Sequence, residues 1–295
     1  MTRGVCLAVV LALGLGLSVL LPGCAKSQGV IPPRRIDDAP VPAYADLRRA
    51  YNARCERLDR LRAPATLVIE STDDAGARRK DQVESYLAFA APANLSLRVD
   101  KVGQTLAVFG SNDEFYWWID LSESPTVALV GTHAAATPAS GAALGIPLHP
   151  LDLVDALGVL PLPDGGRTPP AVRRSARGQL LVELPPRAKG WGARRVYIDE
   201  RTTRPERIEI VDAAGRIVLT SVLSRYVNVD ADRIGASMAS RYVVDVPGQR
   251  LRITVSVASP ENPGTRLRTR GFDLPALLEA YGVARVVDLD AEARR

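Results

Sequence analysis

Residues 83–120, VESYLAFAAPANLSLRVDKVGQTLAVFGSNDEFYWWID, constrain this chain more than any other stretch. Leu95, Leu97 and Val99 alternate with Ser96, Arg98 and Asp100, which is the two-residue period of a β-strand with one buried and one wetted face. Pro92-Ala93-Asn94, Val102-Gly103-Gln104 and Ser111-Asn112-Asp113 interrupt the runs with turn-forming residues, so the stretch predicts a meander of short antiparallel strands. Its last run, 115–120, is the most aromatic in the chain. Phe115, Trp117 and Ile119 share one face and Tyr116 and Trp118 the other, so both faces need cover or something to bind.

The rest of the chain extends this pattern. Strands are predicted at 66–70 and 127–130, and then at 180–184, 195–199, 207–211, 217–223, 241–246, 251–257 and 285–289, with hairpin signals such as Asp212-Ala213-Ala214-Gly215 between them. Helical spacing occurs three times. Residues 43–61 place Tyr44, Leu47, Tyr51, Cys55, Leu58 and Leu61 on one stripe and a series of arginines largely outside it. Residues 148–160 carry Pro150 in the first turn and Leu151, Val154 and Leu157 on an apolar side, and 272–281 form a last short helix. Residues 134–147, AAATPASGAALGIP, offer little to pack and predict a mobile loop. A short apolar helix behind such a loop has the pattern of a lid. About a dozen strands against a few short helices point to a barrel or deeply curved sheet, not to alternating βαβ units.

At the start, Arg3 precedes an uncharged apolar run over 5–21 that leads into Leu21-Pro22-Gly23-Cys24. This predicts a secretory signal over 1–23. LPGC resembles the lipobox of bacterial lipoproteins, in which the cysteine is diacylated on its sulfur and becomes the new amino terminus. The resemblance implies a palmitate-type lipid on Cys24 and a permanent membrane anchor, since two or more chains hold stably. Residues 24–42, rich in proline and charge, read as an extended tether. Without Cys6, which leaves with the signal, no intramolecular disulfide is expected. Cys55, on the apolar side of a helix, reads as a buried small hydrophobe.

Composition and motifs narrow the chemistry. The net charge of +5 over 295 residues is scattered, with few aromatics between the basic residues, which argues against nucleic-acid binding. His133 and His149 flank the small-residue loop without metal-ligand spacing, and no GxSxG elbow, phosphate loop or dinucleotide fingerprint occurs. The expectation is a non-enzyme without cofactor or metal.

The order of elements carries a resemblance over about 44–290. A helix, the meander "NLSLRV…G…FGSNDEFYWW", the insertion "PLHPLDLVDALGVLPLP", further hairpins and the closing "FDLPALLEAYGVARVVDLD" resemble the superfamily of periplasmic lipoprotein carriers and outer-membrane lipoprotein receptors, LolA and LolB. The resemblance implies a mainly β fold over 43–290, an unclosed antiparallel barrel whose short helices form a lid over an apolar cavity for acyl chains, ahead of a charged tail at 291–295. It also implies a carrier or receptor role on the periplasmic face of the outer membrane, with a periplasmic carrier protein as partner. The carrier's functional arginine and the receptor's protruding leucine have no residue-by-residue match here. Strand alternation and the surplus of apolar side chains nominate Leu97, Phe109, Trp117 and Leu157 as cavity-lining residues. The alternative is an envelope scaffold or sensor that uses the same fold to bind a protein.

Overall fold

The computed structural model describes residues 40–122, 124–145, 148–229 and 235–292. The signal, Cys24, most of the tether and the end of the charged tail lie outside the described residues. The strands are β1 (Arg60–Thr72), β2 (Arg78–Ala90), β3 (Asn94–Lys101), β4 (Gln104–Ser111), β5 (Phe115–Asp120), β6 (Val127–Thr132), β7 (Val172–Arg174), β8 (Leu180–Leu184), β9 (Arg194–Ile198), β10 (Pro205–Val211), β11 (Ile217–Asn228), β12 (Ser237–Val246), β13 (Leu251–Val257) and β14 (Arg285–Asp288). The helices that position the site are α1 (Tyr44–Cys55), α2 (Pro138–Ala143), α3 (Pro150–Asp155) and α4 (Leu274–Ala280).

The described strands form one 14-stranded sheet in the order β14-β6-β5-β4-β3-β2-β1-β13-β12-β11-β10-β9-β8-β7. Pairing is antiparallel except between β14 and β6, which run parallel. The two end strands do not meet, so the sheet is open. It is also strongly curved. One core joins Phe109 of β4 to Val182 of β8, nine strand spacings apart, a separation of roughly 43 Å in a flat sheet with strands about 4.8 Å apart. The first strand pairs with the thirteenth, Leu67 and Ile69 of β1 lying opposite Val255 and Ile253 of β13.

Alternation decides which side chains enter this core. Leu61, Ala63, Ala65 and Leu67 of β1 and Val83, Leu87 and Phe89 of β2 are buried at every second position. Tyr44, Leu47, Tyr51 and Cys55 of α1 pack into the same core, together with Val154 and Val159. A second core sits on the other side of β4, β5 and β6, where Val108, Trp117, Ile119 and Ala128 are covered by Leu274, Leu277 and Leu278 of α4.

Two helical expectations are corrected. The helix expected over 43–61 ends at Cys55, and Leu61 belongs to β1 opposite Phe89. Leu58 and Leu61 are three apart, which fits a helix, but the alternation of Leu61, Ala63, Ala65 and Leu67 continues through the strand and governs. The loop expected over 134–147 contains α2. Thr137 Oγ1 accepts the Ser140 amide at 3.1 Å while Ser140 Oγ accepts the Thr137 amide at 2.8 Å, a reciprocal cap with serine in the place usually held by Glu or Gln.

Candidate functional site: an apolar cavity beneath a short helix

The inner face of the sheet does not close completely on its helices. A cavity of about 240 Å³ remains, walled by Leu87, Leu95, Leu97, Phe109 and Trp118 on one side and by Tyr242, Val244, Ile253, Val255 and Val257 on the other. Leu144, Leu148, Pro150, Leu153, Ala156 and Leu157, from the α2–α3 region, roof it. Cross-strand register builds the first wall. Leu87 lies opposite Leu97, Leu97 opposite Phe109, and Phe109 opposite Trp118, so one row of large apolar side chains crosses four strands.

Of the four residues nominated from the sequence, Leu97, Phe109 and Leu157 line this cavity. Trp117 does not. It lies opposite Gly110 and is fully buried in the second core beneath α4, while its neighbour Trp118 takes the inward position. Both faces of β5 are apolar, so alternation left its parity open, and the β4–β5 turn settles it. There Asn112 Oδ1 accepts the amides of Glu114 at 3.0 Å and Phe115 at 2.7 Å.

Hydrogen bonds and ion pairs tie the roof to the rest of the fold. His149 caps α3, its Nδ1 accepting the Leu151 amide at 3.2 Å, and Pro150 occupies the first turn. Asp152 and Asp155 leave α3 on the side away from the cavity. Arg187 Nε donates to Asp152 at 2.9 Å and its Nη2 to Asp155, while Arg194 Nη1 donates to Asp155 at 2.5 Å. Ser221 Oγ of β11 donates to the Ala156 carbonyl at 2.9 Å. Burial, reinforced by the Asp155 charge, raises Asp152 to about 6 against the pull of Arg194 and Arg187.

An aromatic ladder runs beside this network. Tyr116, His133, His149 and Trp191 follow one another at ring separations of 5.7, 6.0 and 5.4 Å. His133 Nε2 donates to the Asn112 carbonyl at 2.9 Å. Burial holds His149 down at about 4, with the Arg187 charge acting the same way, and burial also lowers His133. Both imidazoles are therefore neutral at pH 7 and act as packing groups between the meander and the roof. Among the described residues no three His, Cys, Asp or Glu side chains gather as a metal set, and no helix is long and apolar enough to cross a membrane.

Several of these groups were not legible beforehand. Asp152 and Asp155 carry a trace in their three-residue spacing on the polar side of α3, but Arg187 and Arg194 reach them across a loop. Tyr242 gives no local sign of facing a cavity.

No protein-family model matches the sequence, and no curated protein matches it. Solved structures do resemble it. A DUF1329 family protein from Desulfovibrio piger superposes with a TM-score of 0.55 at 13% identity, over 80% of this chain and 100% of that one. An outer membrane lipoprotein-sorting protein domain from Vibrio parahaemolyticus gives 0.55 at 11% identity, over 79% and 99%. A LolA superfamily protein from Nitrosomonas europaea gives 0.52 at 11% identity, over 79% and 98%. The chain, an open, curved, mainly antiparallel sheet with short helices on its inner face, thus has the LolA-like fold.

Proposed function

We propose that this protein is a membrane-anchored lipoprotein that binds acyl chains in the cavity beneath α3, as a carrier or receptor in the cell envelope and without catalysis. The observation that carries the reading is the cavity itself. At about 240 Å³ it exceeds the share of several waters, each about 30 Å³, and its walls would leave such waters few partners. It is slightly smaller than the ~300 Å³ at which small-molecule sites begin, so a long chain requires the roof to move. Burying a methylene contributes roughly 0.8 kcal/mol, so a sixteen-carbon chain would gain on the order of 12 kcal/mol gross, close to its gain in a bilayer. Such a site can exchange cargo with a membrane. The lipoprotein-sorting description of one structural neighbour supports the same reading, as does the lipobox at Cys24, which would place the protein on the periplasmic face of the outer membrane with a periplasmic carrier as donor.

The competing reading, a scaffold or sensor for a protein partner, draws on α1 and α3, which already fill much of the inner face. Titration of the delipidated full-length protein with a fluorescent fatty acid separates the two. Saturable binding is expected in the parent, with a loss of at least about tenfold in Leu157→Asp, which puts a carboxylate into the apolar roof. Absence of saturable binding, or equal binding by folded Leu157→Asp and Trp118→Ala, sinks the acyl-chain reading.

A further inference from the structure

The cavity wall is almost wholly hydrocarbon, yet one side chain on it is out of keeping. Apart from the indole of Trp118, Tyr242 is the lining residue with a polar side-chain atom. Its side chain is 1% exposed and its hydroxyl has no hydrogen-bond partner among the described residues. A buried O–H that gives up water and gains nothing is an uncommon arrangement in a folded protein, and it marks a place where a partner is missing. Burial also pushes the Tyr242 phenol far above its ordinary range, so it stands there as a donor.

Behind this wall lies a buried cation. Arg54 of α1 is 6% exposed and spends its terminal nitrogens on main-chain carbonyls, Nη1 on Ser237 at 3.2 Å and Nη2 on Gly158 at 2.6 Å. Gly158 directly follows Leu157, a roof residue, and Arg54 is also an electrostatic neighbour of Tyr242. The guanidinium lies over the ring of Tyr51 at 5.0 Å, and its Nε has no hydrogen-bond partner among the described residues. No described carboxylate pairs with it, whereas Arg187 and Arg194 nearby are both paired. Buried charges are ordinarily matched by an opposite charge, and an unmatched one raises the potential of the low-dielectric space around it.

We propose that the inner end of the cavity is a head-group site in which the Tyr242 hydroxyl donates to an anionic oxygen, carboxylate or phosphate, with the Arg54 charge behind it. The ligand would then be a single-chain amphiphile that enters head first, its tail running past Phe109 and Leu97 beneath Leu157. The inference rests on the acyl-chain reading above and narrows it from any greasy chain to an acidic one.

Binding of decanoate, decyl phosphate, decanol and methyl decanoate to the delipidated full-length protein at pH 8 tests this, because the four share a tail and differ at the head. The anions are expected to bind on the order of tenfold more tightly than the neutral pair, because the alcohol and ester oxygens also accept from the Tyr242 hydroxyl but an ionised oxygen takes that hydrogen bond about twice as strongly. Tyr242→Phe, which removes only the hydroxyl, should bring all four within about threefold of one another while its urea midpoint shows it folded. A preference for decanoate alone or decyl phosphate alone assigns the head group to one source and upholds the site. Neutral probes binding as tightly as the anions, or a preference that survives Tyr242→Phe, overturns the head-group site and leaves the acyl-chain reading standing. Absence of binding by every probe removes both.

Discussion

The indole of Trp117 occupies the space that a side chain on Gly110 would need: a Cβ at that glycine would stand 2.6 Å from the ring nitrogen. The two residues are cross-strand partners on β5 and β4, and the close approach lets the largest side chain of the second core lie against bare backbone. Gly110→Ala should therefore destabilise the protein by about 1–3 kcal/mol, the usual cost of overpacking, read as a lower urea midpoint. Fatty-acid affinity of the folded variant should stay within about twofold, since the clash lies on the far side of the sheet from the cavity. An unchanged midpoint would show that the indole can move aside.

Two buried groups near the roof give opposing responses to acid. His149, held at about 4 against an ordinary 6.5, favours the fold when neutral, so its contribution is complete above pH 6.5 and drains as pH falls towards 4. Asp152, raised from 3.8 to about 6, favours the fold when protonated, so its contribution is complete below pH 3.8 and is lost as pH rises through about 6. Between about pH 4 and 6 the two slopes cancel in part, each bounded by about 1.4 kcal/mol per pH unit. Asp152→Asn should lose stability on acidification more steeply than the parent, while His149→Asn, which keeps a capping side chain, should lose it less steeply. Stability profiles parallel to the parent's in both variants would refute this.

Cys55 is buried at 4% exposure, and burial pushes its thiol up to about 11 despite the adjacent Arg54. Thiolate is then a negligible fraction at pH 8. Peptide mapping after a brief exposure to iodoacetamide should find Cys55 unmodified in the native protein and fully modified in guanidinium. Rapid native labelling would mean that α1 leaves the core.

On the lipobox reading of Cys24, Cys24→Ser should abolish incorporation of labelled palmitate and leave the protein soluble or uncleaved, because both the acylation and the processing depend on that thiol. Label retained by the serine variant rules out the anchor.

The sequence made the strands legible wherever one face alone was apolar. Leu95, Leu97 and Val99, and Leu251 through Val257, alternate cleanly because their other face meets water, and β3 and β13 lie where that period places them. At β5 the signal fails for a physical reason. Two cores need its two faces, so Trp117 and Trp118 are equally apolar and only the turn at Asn112 decides between them. The ion pairs of Asp152 and Asp155 with Arg187 and Arg194 depend on where a loop returns, which no local periodicity encodes. Tyr242 shows the same limit, since an unpartnered hydroxyl can be recognised only once its neighbours are known.

The β1–β13 seam sets the order in which this molecule can come into being. Ser71 pairs with Leu251 and Ala65 with Val257, so the first strand waits for the thirteenth before its second edge is covered. Loop closure over that separation is slow compared with the local hairpins on either side. Ile253, Val255 and Val257 belong to β13 and are also a wall of the cavity. A partly threaded chain therefore lacks one wall of the cavity, and the pocket is complete only once β1 and β13 have paired.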